Sequence, residues 1–365
     1  MKNYKSDTRI ILTLDAGGTN FVFSAMRGGE EIVSPTHLPA ETTDAGRCVE
    51  CLVSGFKSVM ESLSEAPVAI SFAFPGPADY KQGIIGDLPN FPCFRGGFPL
   101  GPILEAEFGI PVFINNDGNL FAYGEALAGT LPEVNTRLEL MGSSKRFHNL
   151  IGVTLGTGFG CGVVVDGTLL IGDNSSGGDI WCFRNKKYTR MIVEESVSIR
   201  AVKRVYAELS DDKTALTPKD IFDIAEGVRP GNMTAAREAF AELGEIAGDA
   251  LSEAITLIDG LVVIGGGLSG ADKYIVPAMV REMNNRLYAF SGECFPRLQV
   301  EVYNLDDATM WPEFARGREA VLHYADGTRR VTYDALKRTG VITTSRETRQ
   351  SIALGAYVYA LSHLD

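Results

Sequence analysis

Two glycine-rich turns, each set between apolar runs, constrain this chain more than any other feature. The first reads Thr13-Leu14-Asp15-Ala16-Gly17-Gly18-Thr19-Asn20-Phe21-Val22-Phe23. The second reads Thr154-Leu155-Gly156-Thr157-Gly158-Phe159-Gly160-Cys161-Gly162-Val163-Val164. Both open on Thr-Leu, pass through a Gly/Thr turn and return to apolar residues, which is a weak internal duplication. In the second, a strand rather than a helix follows the turn, and no Gly-Lys-Ser/Thr ends it. It therefore fits neither the Walker A pattern nor the Rossmann spacing. The chain has 365 residues, and single cores stop growing near ~250–300 residues, so two domains are expected. Two lobes, each beginning with a glycine turn between strands, would face one another across a cleft.

The remaining patterns alternate strands with helices, as α/β lobes require. Apolar residues at Cys48, Leu52, Phe56, Val59, Met60 and Leu63 predict an amphipathic helix capped by Thr43 or Asp44. Val68–Phe74 is a short apolar run that ends in Pro75-Gly76-Pro77. Ile110–Asp117 reads as a strand entering a helix, and a polar stretch over Thr130–Asn149 separates the two halves. Phe240–Ile258 is expected to be helical and to run into the buried strand Leu261–Ile264, which ends in three glycines. A hairpin turning at Asp326-Gly327 is expected over Val321–Tyr333, and a last helix over Thr348–Leu361.

Composition excludes several classes. The net charge is −12 and the pI near 5.0, which argues against a nucleic-acid footprint and an anionic membrane partner. No secretory leader pattern opens the chain and no stretch of ~18 apolar residues occurs, so a cytoplasmic protein is expected. The six cysteines are scattered, too few for a disulfide scaffold in a chain this long. Cys48 and Cys51 fall on the apolar stripe of their helix and read as core. The four histidines show no metal-ligand spacing. Trp181 and Trp311 read as core or lobe-interface residues, and Arg184, Lys186, Lys187 and Arg190 as a solvated basic loop.

Four segments can carry chemistry. Gly17, Gly18, Thr19 and Asn20 can present backbone N–H groups to phosphate oxygens, and Asp15 can hold Mg²⁺ through water. Gly156, Thr157 and Gly158 can hold a second phosphate; a plain glycine hairpin is the alternative for both turns. Asn115-Asn116-Asp117 delivers polar residues to a helix start, where the helix field favours an ionised carboxylate. Asp117 there suits either a general base or an ordinary cap. Gly265, Gly266 and Gly267, at a strand's carboxyl end, leave room for a flat nucleotide.

In this order these segments resemble the superfamily of sugar kinases, heat-shock ATPases and actin, and within it the ROK family (repressor, open reading frame, kinase). Asp15–Asn20 resembles the first phosphate motif and Phe74–Pro77, with Gly83 and Leu88-Pro89-Asn90, the sugar-side segment. Asn116-Asp117-Gly118-Asn119 with Gly124-Glu125 is similar to the catalytic stretch. Gly156–Gly160 resembles the second phosphate motif, Val263–Gly267 the adenosine motif, and Leu354-Gly355-Ala356 the returning end helix. The resemblance covers almost the whole chain. It implies an α/β, two-lobed actin-like ATPase (ribonuclease H-like) fold with a central cleft. Residues 1–129 plus 345–365 would form the N-terminal lobe, and 130–344 the C-terminal lobe.

The resemblance implies ATP-dependent phosphorylation of a hexose, glucose at the 6-hydroxyl by default, with Mg²⁺. Asp117 would be the general base, and Gly76, Asn90, Asn116, Asp117, Asp179 and Glu194 would bind sugar. Fructose, mannose, an N-acetylhexosamine kinase, or a weak sugar sensor or regulator are the alternatives. The implied partners are sugar and ATP, with neither nucleic acid nor membrane, and a homodimer is compatible. A repressor of this family carries a DNA-binding helix-turn-helix ahead of the first phosphate motif, and the fourteen residues before Asp15 are too few for one. Two departures stand out. Cys182 occupies the place of a sugar-contacting His, and Phe183–Val193 lacks the Cys and His of the family's zinc loop. No structural zinc is therefore expected. The 130–149 segment and the 321–333 hairpin read as insertions.

Overall fold

The computed structural model describes residues 4–16, 20–87, 92–325 and 327–365. The chain forms two compact units, residues 1–130, 162–178 and 345–365 in one, and 131–161 and 179–344 in the other.

The first unit is built on a sheet of β1 (Ile11–Ala16), β2 (Asn20–Arg27), β3 (Glu30–Glu31), β4 (Thr36–Pro39), β5 (Ala69–Ala73) and β8 (Val112–Asn115). A small pair, β6 (Ala78–Asp79) and β7 (Ile84–Ile85), lies between the last two in sequence. β1 pairs antiparallel with β2, and β1, β5 and β8 run parallel. Their register places Asp15 beside Ala73 and Ala73 beside Asn115. Three carboxyl ends thus finish in one row.

Helix α1 (Ala45–Glu61) is capped by Asp44, whose side chain accepts from Arg47 N at 2.9 Å. Its stripe of Cys48, Leu52, Phe56 and Val59 is buried against Phe21, Phe23 and Phe72 of the sheet. Phe23 and Phe56 meet edge to face at 5.1 Å, the arrangement that ring quadrupoles favour. Cys51, Met60 and Leu63 are only half-buried and pack against the edge of this core. α2 (Leu100–Phe108) ends at Gly109, φ +66°. α3 (Asp117–Leu127) and α10 (Thr348–Leu364) cross very closely. A Cβ on Gly355 would run into the carbonyl oxygen of Leu120, and one on Gly124 into that of Ser351.

The second sheet runs β11 (Thr168–Leu169), β10 (Phe159–Val165), β9 (Leu150–Leu155), β12 (Leu261–Gly265), β18 (Arg338–Thr343), β15 (Glu301–Asn304). β9, β12, β18 and β15 are parallel neighbours, and β9 and β12 are buried almost throughout, as strands packed on both faces are. α5 (Ile199–Ser210), α6 (Pro218–Ala225), α7 (Met233–Ile258) and α8 (Asp272–Met283) belong to this unit. α7 starts seven residues earlier than its periodicity predicts, because Asn232 accepts from Ala235 N at 3.0 Å and caps it there.

The polar stretch after Thr130 is a helix, α4 (Thr130–Leu140), not a linker. Leu131, Val134 and Leu138 are buried at helical spacing, and Arg137 lies 3.8 Å over the ring of Trp311. Trp311 opens α9 (Trp311–Arg316) and is core, with its indole N–H donating to the Leu305 carbonyl at 2.8 Å. Trp181 is exposed instead. β13 (Arg286–Tyr288) pairs with β14 (Cys294–Pro296), and β16 (Glu319–His323) with β17 (Arg330–Asp334), the second hairpin being the one expected near Val321. Asp326 lies outside the described residues.

Candidate active site

The row at the carboxyl ends of β1, β5 and β8 carries the residues expected to do chemistry in the first unit. Carboxyl ends of parallel strands are where α/β sheets bind ligands. Asp15 ends the buried part of β1 and is exposed. Beyond Ala73, Phe74 N donates to the Asn115 carbonyl at 2.9 Å, which carries Pro75 and the exposed Gly76 past the sheet edge. Gly17, Gly18, Thr19 and Asn90 lie outside the described residues. Asn20, an exposed residue, opens β2 opposite Pro39.

The start of α3 shows which of two adjacent residues caps it. Asn116, not Asp117, is the N-cap, its Oδ1 accepting from Gly118 N at 2.8 Å. Asp117 is the first helical residue, and its Oδ1 accepts from the same N–H at 2.8 Å. Behind them Asn119 donates to Asn115 Oδ1 at 2.9 Å, and both are buried. This amide pair braces the helix start onto the strand end. Asp117 thus has its backbone fixed without being needed as the cap.

Asp15 and Asp117 both touch solvent, yet protein atoms crowd both. That crowding is the chief cause of a raised carboxyl pKa at each site. At Asp15 the nearby Arg349 works the other way, and the charge of Asp117 adds to the rise. At Asp117, the N–H groups of Gly118 and of Asp117 itself pull the value down. Asp15 thus feels both the negative charge of Asp117 and the positive charge of Arg349.

Glu125, of the Gly-Glu pair in the same stretch, is fully buried. Its carboxylate accepts from Thr130 N at 2.8 Å and from the hydroxyls of Thr130 and Ser351, each at 2.5 Å. It ties α3 to α10 and holds the helix that presents Asp117.

In the second unit, the turn after β9 and the turn after β12 pack on each other. Leu268 N donates to the Leu155 carbonyl at 3.0 Å. Gly266 has φ +94°, and a Cβ there would strike the Leu155 backbone, so only glycine fits. Gly265 is buried, whereas Gly156 and Gly267 face open space. Gly156, Thr157 and Gly158 are held from the other side by the segment before α5. Ile199 N donates to the Gly156 carbonyl at 2.8 Å, and Phe159 N donates to Glu194 Oε2 at 3.0 Å.

Asp179 is exposed at the surface of this unit. Its carboxyl is raised by burial and lowered by a hydrogen bond from Trp181. Cys182 donates its thiol to the backbone carbonyl of Asp179 at 2.9 Å, so it makes a local turn contact. The loop from Phe183 to Val193 is closed by Asn185, which is fully buried. Its Nδ2 donates to Ser196 Oγ at 2.8 Å, and its Oδ1 accepts from Lys187 N at 3.0 Å and Tyr188 N at 2.9 Å. Lys186 pairs with Glu245 at 2.9 Å and Glu282 at 2.8 Å, and Lys187 with Glu242 at 2.7 Å. Lys186 and Lys187 thus tether this exposed basic loop to α7 and α8. Among the described residues, no group of three or more His, Cys, Asp or Glu side chains could hold a metal ion.

Two parallel-sheet units with glycine turns at the strand ends define an actin-like ATPase fold of the sugar-kinase class. The chain belongs to the ROK family, whose model matches residues 11–308. It is 62% identical to a crystal structure of glucokinase from Parabacteroides distasonis ATCC 8503, with a TM-score of 0.91 over 99% of this chain and 100% of that one. It is 27% identical to the N-acetyl-D-glucosamine kinase of Vibrio cholerae, over 71% of this chain and 84% of that protein. It is likewise 27% identical to the glucokinase of Halalkalibacterium halodurans, over 71% of this chain and 80% of that protein. No helix among the described residues is long and apolar enough to cross a membrane.

Proposed function

We propose that this chain transfers the γ-phosphoryl group of ATP to the 6-hydroxyl of glucose, with Asp117 as general base. The observation that carries the reading is a carboxylate held at a helix start by Asn115 and Asn119, free of the capping role, with a raised pKa. Phosphoryl transfer asks the protein mainly to position groups and stabilise charge. A carboxylate above its ordinary value is the better proton acceptor near neutral pH. The sugar hydroxyl gives its proton to Asp117 as its oxygen bonds to phosphorus, and ADP leaves.

The other roles follow the strand ends. The first unit supplies Asp117, the Asn116 amide, Gly76 and Asn90 to the sugar, and Gly17, Gly18, Thr19 and Asn20 to phosphate. The second unit supplies Asp179 and Glu194 to vicinal hydroxyls, because each carboxylate can accept two hydrogen bonds. It also supplies Gly156, Thr157 and Gly158 to phosphate, and Gly265, Gly266 and Gly267 to adenosine. Asp15 fits a hydrated Mg²⁺, being an exposed carboxylate beside a second one whose repulsion a cation relieves. When bound, the ion neutralises phosphate charge. Glucose is favoured over N-acetylglucosamine, fructose and mannose because the 62% identical structure is a glucokinase. Trp181, exposed beside Asp179, offers a sugar ring an aromatic face next to Cys182, which takes the place of the family's histidine.

ADP release from Mg-ATP across glucose, mannose, fructose and N-acetylglucosamine tests this reading. Glucose should give the highest kcat/KM. A preference for N-acetylglucosamine would move the assignment to that sugar, and binding without turnover would make the protein a sensor.

A further inference from the structure

Arg200 holds together two parts of the second unit that the reading above gives to different substrates. It stands in the first turn of α5 and is exposed. Its Nη2 donates to Glu194 Oε1 at 3.0 Å and to Glu195 Oε1 at 2.8 Å, and its Nε to Glu195 Oε1 at 3.1 Å. Its Nη1 donates to the carbonyl of Thr157 at 3.2 Å. One rigid fork thus spans the carboxylate assigned to sugar and the backbone of the turn assigned to phosphate.

The clasp has a second side. Glu194 Oε2 accepts from Phe159 N at 3.0 Å, directly after that turn. A Cβ at Gly158 would sit 2.7 Å from the same oxygen, so a side chain at 158 would displace the glutamate. A carboxylate has about four acceptor positions. The turn and Arg200 occupy two, which leaves Glu194 able to accept from a sugar diol while still clasped.

We propose that Arg200 is a positioning residue that couples the sugar site to the phosphate turn, so that sugar bound at Glu194 fixes Thr157 and Gly158 for ATP. This rests on the hexose-kinase reading. Coupling between two ligands is reciprocal in free energy. Glucose should therefore tighten ATP by the factor by which ATP tightens glucose, and Arg200 should carry most of that factor. Sugar that fixes the turn also limits phosphoryl transfer to water in its absence.

The test is calorimetric binding of glucose with and without a non-hydrolysable ATP analogue, and of the analogue with and without glucose. It uses wild type, Arg200→Gln, Arg200→Lys and a control, Arg204→Gln, which removes the next arginine on the helix. Wild type and the control should show the same coupling, about 5-fold or more. Arg200→Gln should bring it to about one, with each ligand alone binding within about 3-fold of wild type, and Arg200→Lys should fall between. Coupling retained in Arg200→Gln, or absent in wild type, overturns the proposal. So does a loss of analogue affinity without sugar, which would make Arg200 a direct phosphate ligand. If wild type binds neither glucose nor the analogue, the hexose-kinase reading itself fails, and the inference with it.

Discussion

Asp117 owes its place to its neighbours. Asn116 caps the helix and Asn119 ties back to Asn115, so the carboxylate need not cap. Asp117→Asn should keep the fold and lower kcat by about 10²–10⁴-fold, measured by ADP release at saturating glucose. Its raised pKa has two consequences of defined sign. Activity needs the ionised form, so kcat/KM should fall with decreasing pH through a value above the ordinary ~3.9 of aspartate. Stability runs the opposite way. Between the unfolded and folded values the native state holds a proton that the unfolded chain releases, so ionising Asp117 destabilises the fold as pH rises. Asp117→Asn should thus have a higher Tm than wild type at pH 7, and the gain should vanish below ~3.9. Equal melting curves at pH 7 would show that the carboxylate is not strained. Much of this was legible in the sequence, because an apolar run ending in Asn-Asn-Asp can only be a strand delivering polar groups to a turn. That Asn116 rather than Asp117 is the cap was not, since Asn and Asp both cap helices and stand at adjacent positions.

At the scale of elements, the loop from Phe183 to Val193, which contains no Cys or His, is held by an amide and two lysines. Asn185 is buried and makes hydrogen bonds with its amide N–H and carbonyl, and Lys186 and Lys187 anchor the loop to α7 and α8. Asn185→Ala strands the N–H groups of Lys187 and Tyr188 and should cost about 2–4 kcal/mol in urea unfolding. EDTA should leave the wild-type Tm unchanged. A drop in Tm on chelation would reveal a structural metal. Sequence could not announce Asn185, because one amide in a basic loop has no periodic signature. α4 is different: Leu131, Val134 and Leu138 stand at helical spacing, and charged residues between them hid it. The crossing of α3 and α10 sets a stricter limit. Gly355→Ala drives a methyl into the Leu120 carbonyl, and should cost about 3 kcal/mol or more, above ordinary overpacking.

At the scale of the molecule, the two glycine turns proved the most informative sequence feature. Each lies between two neighbouring strands of one sheet, β1 and β2 in the first and β9 and β10 in the second. What the sequence hid was side-chain wiring within the second unit, such as the Arg200 clasp, which joins residues 43 positions apart. The most direct test of the whole account is phosphorus NMR of glucose with Mg-ATP, run with wild type and with Asp117→Asn. The account predicts glucose 6-phosphate and ADP in equal amounts from wild type, and formation at least ~100-fold slower from the variant. ATP consumption without a sugar phosphate, or an unchanged rate in Asp117→Asn, would contradict it.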